Sequence, residues 1–156
     1  MELLKKLNYK NQNELVILNA PKSFKNVIDE LKNYIQVTED ENIYAEIEFA
    51  LVFTKNNEDI EKYAELVLPK TADNALIWFA YQKKTDIGYA ADILGEDGWD
   101  IVGDYQFEPI RQISMDHNWS ALRFRPIKKS KNIARNDNIS VNSEEKIKPK
   151  KKLEYF

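Results

Sequence analysis

Three stretches of the chain are apolar at every position: Leu15-Val16-Ile17-Leu18, Phe49-Ala50-Leu51-Val52-Phe53 and Ala75-Leu76-Ile77-Trp78-Phe79-Ala80-Tyr81. A strand carries an apolar side chain at each position only when both of its faces are covered, the condition of a parallel sheet lying between helices. Helical spacing fills the gaps. Ser23 caps a segment with Phe24, Val27, Ile28 and Leu31 on one face. Asn57 precedes the acids Glu58 and Asp59 and the stripe Ile60, Tyr63, Ala64 and Val67. A capping side chain followed by acids in the first turn is favoured by the helix dipole. Tyr34-Ile35-Gln36-Val37 adds a further short strand.

The last third changes period. After a loop around Lys83 to Gly88, a short helix over Trp99 to Tyr105 leads to Pro109–Met115, the turn formers Asp116-His117-Asn118, and Trp119–Arg125. Two alternating runs joined by three turn residues predict a β-hairpin, with Pro at the first position of its strand. The predicted fold class is therefore α/β: a three-layer sandwich with a mostly parallel, Rossmann-like sheet of five or six strands, closed by a C-terminal antiparallel hairpin. Residues 1–127 form the one domain. Residues 128–156, rich in Asn, Ser and Lys without an apolar period, bury too little surface to offset their ordering entropy and are expected to be disordered.

Charge sharpens that boundary. The formal net charge of −3 hides a basic tail, with nine Lys and Arg against four Asp and Glu from Lys128 on. Before it stand 14 of the 23 basic and 22 of the 26 acidic residues. The absence of Cys removes disulfides and thiol chemistry, and the single His117 removes a multi-histidine metal site. Asp92, Asp97 and Asp100 lack the alternating ligands of a calcium loop, so no metal site is expected. No apolar run is long enough for a signal peptide or a spanning helix; the chain reads as soluble and cytoplasmic, with no membrane partner.

Several segments together carry a family resemblance: "LVILNAP" at 15–21, "FALVF" at 49–53, "LIWFAYQKK" at 76–84, "DGWDIVGDYQFEPIRQISMD" at 97–116 and "WSALRFRP" at 119–126. The chain resembles a family of small bacterial domain-of-unknown-function proteins whose last strand ends in Trp-Ser-Ala-x-Arg. The resemblance covers roughly residues 13–127. It departs at Tyr81-Gln82-Lys83, where that family has Tyr-Pro-Lys. The order of elements is similar to a shortened sheet of the S-adenosylmethionine-dependent methyltransferase kind.

Candidate chemistry is sparse. Asp116, His117 and Ser120 have the residue types of a hydrolase triad, but neighbours on a turn and strand cannot converge as a triad requires. Asp116 is better suited to capping the turn. Arg123 and Arg125 share a strand face with Trp119 and could clamp one phosphate or carboxylate; the competing reading lays their stems on apolar surface and pairs their heads with the protein's own acids. Lys83 and Lys84 follow the third central strand, where open α/β sheets bind ligands. The tentative ligand-binding set is thus Lys83, Lys84, Arg123, Arg125, Trp119, Ser120 and Asp116, with no catalytic residue and no defined cofactor.

With no convergent nucleophile or base, the leading expectation is a non-enzymatic or regulatory module that binds a small anionic ligand or a protein partner. One alternative is a divergent S-adenosylmethionine-dependent methyltransferase-like enzyme. Against it stands the glycine-free loop Asn19-Ala20-Pro21-Lys22-Ser23, while Glu39, past the second strand, could take ribose hydroxyls. The other is a nucleic-acid-associated protein acting through phosphate contacts of its basic tail.

Overall fold

The computed structural model describes residues 1–83 and 96–127, with the side chains of residues 96–98 excluded. Lys84, Asp92 and the tail 128–156 lie outside the described residues, and with them the expectations attached to each. In chain order the elements are α1 (Glu2–Lys6), β1 (Glu14–Leu18), a 3-10 turn (Lys22–Phe24) running into α2 (Lys25–Leu31), β2 (Gln36–Thr38), β3 (Ile47–Thr54), α3 (Asn57–Val67), a second 3-10 turn (Leu68–Lys70), β4 (Thr71–Gln82), α4 (Glu96–Asp104), β5 (Phe107–Ser114) and β6 (Trp119–Pro126).

The six strands form one sheet in the order β2-β1-β3-β4-β6-β5. The first four are parallel neighbours, and β6 runs antiparallel to both β4 and β5. This is the predicted Rossmann-like sheet with its closing hairpin. Alternation along each strand divides the apolar runs between two cores. Leu15, Ile17, Phe49, Leu51, Phe53, Trp78, Ala80, Trp119 and Ala121 face α1 and α2. Val16, Leu18, Ala50, Val52, Ile77, Phe79, Tyr81, Leu122 and Phe124 face α3 and α4. Both faces are covered, which is why β1, β3 and β4 tolerate no polar residue in their middles.

Two predicted caps are corrected. Asn56, not Asn57, caps α3: its extended backbone lets Oδ1 accept the Asp59 amide at 2.8 Å. Ser23 caps nothing. The 3-10 turn opens at Lys22 straight after Pro21, whose ring fixes φ at −74°, so Ser23 is already inside helical backbone. β4 also begins four residues before its apolar run, through exposed Asp73 and Asn74.

The α1 turn was not predicted. Its Leu4, together with Leu7 just beyond it, is buried on the β4 side of the sheet. The Leu7 carbonyl accepts the Trp78 indole N–H at 3.1 Å, and Tyr9 stacks on Phe49. Among the described residues, no helix is long and apolar enough to cross a membrane.

Candidate functional site

A ligand crevice forms in an open α/β sheet outside the carboxyl ends of the strands, where connections diverge to opposite sides. Here the chain leaves β1 for β2 on one flank and then returns to β3 on the other, so the divergence lies between β1 and β3. Asn19 stands at that point. It leaves β1 with φ of 61°, a left-handed conformation that glycine adopts freely and Asn tolerates better than most residues. Its Nδ2 donates to the Phe53 carbonyl at 2.8 Å and to Asp59 Oδ2 at 3.3 Å, and the same Asp59 oxygen accepts the Lys55 amide at 2.9 Å. One amide and one carboxylate thus tie the exits of β1 and β3 to the start of α3. In the α1/α2 core Phe24, Phe53 and Trp119 make successive aromatic contacts at 4.8 and 5.0 Å.

The exit of β2 carries Glu39, exposed and twenty positions after Asn19 in the chain. The loop that follows is fixed to α3: the Tyr63 hydroxyl donates to Glu41 Oε2 at 2.7 Å, and Lys62 Nζ stands 3.5 Å from the same carboxylate.

At the exit of β4 the Lys83 amide donates to the Asn118 carbonyl at 2.8 Å and its ammonium to Ser114 Oγ at 2.7 Å. Asp116 Oδ1 accepts the amides of Asn118 and Trp119, both at 2.8 Å, so this carboxylate caps the hairpin turn. Ser120 is buried beside Tyr81, its register partner, whose hydroxyl accepts from Gln112 Nε2. Asp116, exposed His117 and Ser120 therefore serve three separate ends and form no triad.

Burial raises the Tyr81 pKa above the ordinary phenol value, against the lowering by Gln112 and Ser120. The folded protein holds this proton to higher pH than the unfolded chain does. Its contribution to stability is complete below about pH 10 and is lost as pH climbs through the folded value. Urea unfolding followed from pH 8.5 to 11.5 is expected to show a steeper alkaline decline in wild type than in Tyr81→Phe; parallel curves would remove the effect.

The structure divides the residues that the sequence placed at one rim. Lys83, Asp116, Trp119 and Ser120 stand together at the carboxyl ends of the parallel strands. Arg123 and Arg125 stand four and six residues beyond Trp119 along β6, about 13 and 20 Å away. Arg125 pairs with Glu108 at 3.0 Å. Arg111, which the sequence reading did not single out, stands directly opposite Arg123. The hairpin could have revealed it, because Arg111 and Arg123 are equidistant from His117.

No protein-family model matches the chain, and no curated protein sequence matches it. Solved structures do match. A S-adenosylmethionine-dependent methyltransferase from Clostridium acetobutylicum aligns with 81% of this chain and 89% of its own at a TM-score of 0.53 and 8% identity. A ribosomal protein L11 methylase from Lactobacillus delbrueckii subsp. bulgaricus aligns with 82% of this chain and 77% of its own at a TM-score of 0.54 and 6% identity. The fold is that of the S-adenosylmethionine-dependent methyltransferases. This corrects the leading expectation of a non-enzymatic anion- or partner-binding module. That expectation rested on the lack of a convergent nucleophile and base, whereas methyl transfer from a sulfonium needs neither to be written into the chain as a motif. The fold accords instead with the methyltransferase-like alternative.

Proposed function

We propose that this chain is a small methyltransferase-like protein that binds S-adenosylmethionine at the carboxyl ends of β1, β2 and β3. The observation that carries the reading is the joint placement of Asn19 and Glu39 on a sheet of methyltransferase topology. In doubly wound dinucleotide-binding folds, an acidic residue about twenty positions after the phosphate-binding turn takes the ribose hydroxyls. Glu39 has that spacing from the left-handed turn at Asn19 and is exposed on the adjoining strand exit. These residues fit the adenosine half of the cofactor. Asn19 makes the turn that glycine makes elsewhere, while Ala20 and Pro21 leave the loop with a side chain and a missing N–H where a glycine run would allow closer approach.

Bound there, the cofactor supplies an electrophilic methyl group on sulfur. The chain's own part is to hold and orient. The Glu39 carboxylate accepts the ribose hydroxyls, the Asn19–Asp59–Lys55 ties keep the strand exits in place, and Lys83 with the Tyr81 hydroxyl forms the polar wall on the β4 side that a methyl acceptor would meet. An ammonium and a phenol O–H are hydrogen-bond donors, so they suit an acceptor with negative or hydrogen-bond-accepting groups. A cytoplasmic setting and kinship with the small bacterial family whose last strand ends in Trp-Ser-Ala-x-Arg are part of the same proposal, supported by residues 119–123.

Calorimetric titration of the full chain with S-adenosylmethionine and S-adenosylhomocysteine tests the reading. Saturable binding is expected, weakened about tenfold in Glu39→Gln, the loss that follows from removing one charged hydrogen bond of about 1.5 kcal/mol. No saturable heat with either compound, or equal affinity in Glu39→Gln, overturns it.

A further inference from the structure

We infer that Arg111, Arg123 and Arg125 form a second binding site, for a phosphate group, on the α1/α2 face of the terminal hairpin, at the β5 edge of the sheet and away from the proposed cofactor crevice at β1 and β2.

The hairpin register sets Arg123 of β6 directly across from Arg111 of β5 and beside Trp78 of β4. Arg125, two residues on, projects to the same face. Like charges directly opposite on neighbouring strands are destabilising, so the sequence retains an unfavourable pair at this position. The one acid among the register partners, Glu108, is already engaged by Arg125 Nε at 3.0 Å. Arg123 itself is half-buried, and its Nε–H is enclosed with no hydrogen-bond partner among the described residues. A buried donor of a charged group left unpaired carries the full cost of its desolvation, and native proteins rarely leave one so. Burial together with the two neighbouring guanidinium groups depresses the Arg123 pKa, in keeping with uncompensated positive charge at this spot.

A phosphate group answers each of these observations. Its oxygens accept from several guanidinium forks at once, its charge of about −1.5 to −2 offsets the Arg111–Arg123 repulsion, and it supplies the missing acceptor for Nε. Arg111 and Arg125 are exposed, so the group can enter from solvent. The surrounding body is acidic, which disfavours a long polyanion lying across it and favours one compact phosphate, free or carried on a small molecule.

The test is thermal unfolding of the full chain in inorganic phosphate against sodium chloride of equal ionic strength, with phosphorus NMR line width as an independent measure of binding. Phosphate is expected to raise Tm saturably in wild type. In Arg111→Gln the apparent Kd should rise at least tenfold, and the chloride-only Tm should rise slightly as the like-charge contact disappears. Arg123→Gln should lose the phosphate response altogether; if it fails to fold, the exposed Arg111→Gln alone decides. Glu39→Gln should respond as wild type does, so failure of the S-adenosylmethionine reading leaves this result standing. A phosphate effect no larger than that of chloride overturns the site, as does one that is equal in wild type and Arg111→Gln. Repeating the titration with glycerol 3-phosphate, which carries no adenosine for the proposed cofactor crevice, separates the sources: equal affinity marks free phosphate as the ligand, tighter binding a phosphate carried on an organic group.

Discussion

Replacing Trp78 with Ala is expected to cost the domain about 3–5 kcal/mol, the range for deleting a fully buried large aromatic. Trp78 has no exposed surface, and its indole N–H is the donor that fixes the Leu7 carbonyl. The loss therefore has two parts. The cavity accounts for most of it, and release of α1 for the rest, because Leu7 then loses both its apolar neighbour and its hydrogen bond. Trp78→Phe separates them: the ring volume is largely kept, the donor goes, and the cost should fall to about 1–2 kcal/mol. Urea denaturation gives both values. A Trp78→Ala variant within 1 kcal/mol of wild type would mean that α1 does not pack as described.

The adjoining residue carries the other core. Phe79 points to the α3/α4 face, also without exposed surface, and meets Trp99 and Phe124 edge-on at 6.2 and 5.6 Å. Phe79→Ala should likewise cost about 3–5 kcal/mol, made up of the buried ring and two aromatic pairs of about 0.5–1.5 kcal/mol each. Its secondary effect differs from that of Trp78→Ala. Trp99 also packs on Tyr81 at 5.9 Å, so the substitution should loosen α4 and the polar wall of the crevice while leaving α1 in place. Hydrogen exchange resolves the two: faster exchange in residues 99–104 for Phe79→Ala, and in residues 3–9 for Trp78→Ala. The same pattern in both variants would show one merged core instead of two.

What the sequence displayed and what it hid follow from the range of the forces involved. β1, β3 and β4 were legible because strands covered on both faces must be apolar at every position, a signal held within four to seven residues. The hairpin was legible because three turn formers separate two alternating runs. α1 was not, since a single turn of helix has almost no signal of its own and is held by contacts with Trp78 and Ser114, 71 and 108 residues away. The cap of α3 moved by one residue because two consecutive Asn offer the same side chain, and the end of β3 decides between them. The rim was half legible. Lys83 and Asp116 follow from strand ends and turn chemistry, whereas the tie from Asn19 to Phe53 and Asp59 depends on a parallel register that no local pattern encodes. The arginines were noticed as a pair on one strand; their partner Arg111 required the hairpin to be read as a register. The leading functional expectation was overturned by the fold, because a search along the chain for paired catalytic groups does not read the topology that the methyltransferase structures share.

The position of β6 between β4 and β5 has a consequence for how the chain is made. A ribosome delivers β1 to β4 in an order that can assemble as it emerges, but the far edge of β4 then has no partner until β6 is complete, 44 residues after Gln82. At about 5–20 residues per second, that edge stays open for roughly 2–9 seconds. It also carries the longest unbroken apolar run among the described strands, with Ala75 to Tyr81 all destined for burial. During those seconds the nascent chain presents an unpaired apolar template of the kind that recruits a second copy. A message truncated anywhere between Lys83 and Asn118 would make that state permanent, so such fragments should collect as aggregates or be destroyed, whereas chains that reach Pro126 close on themselves.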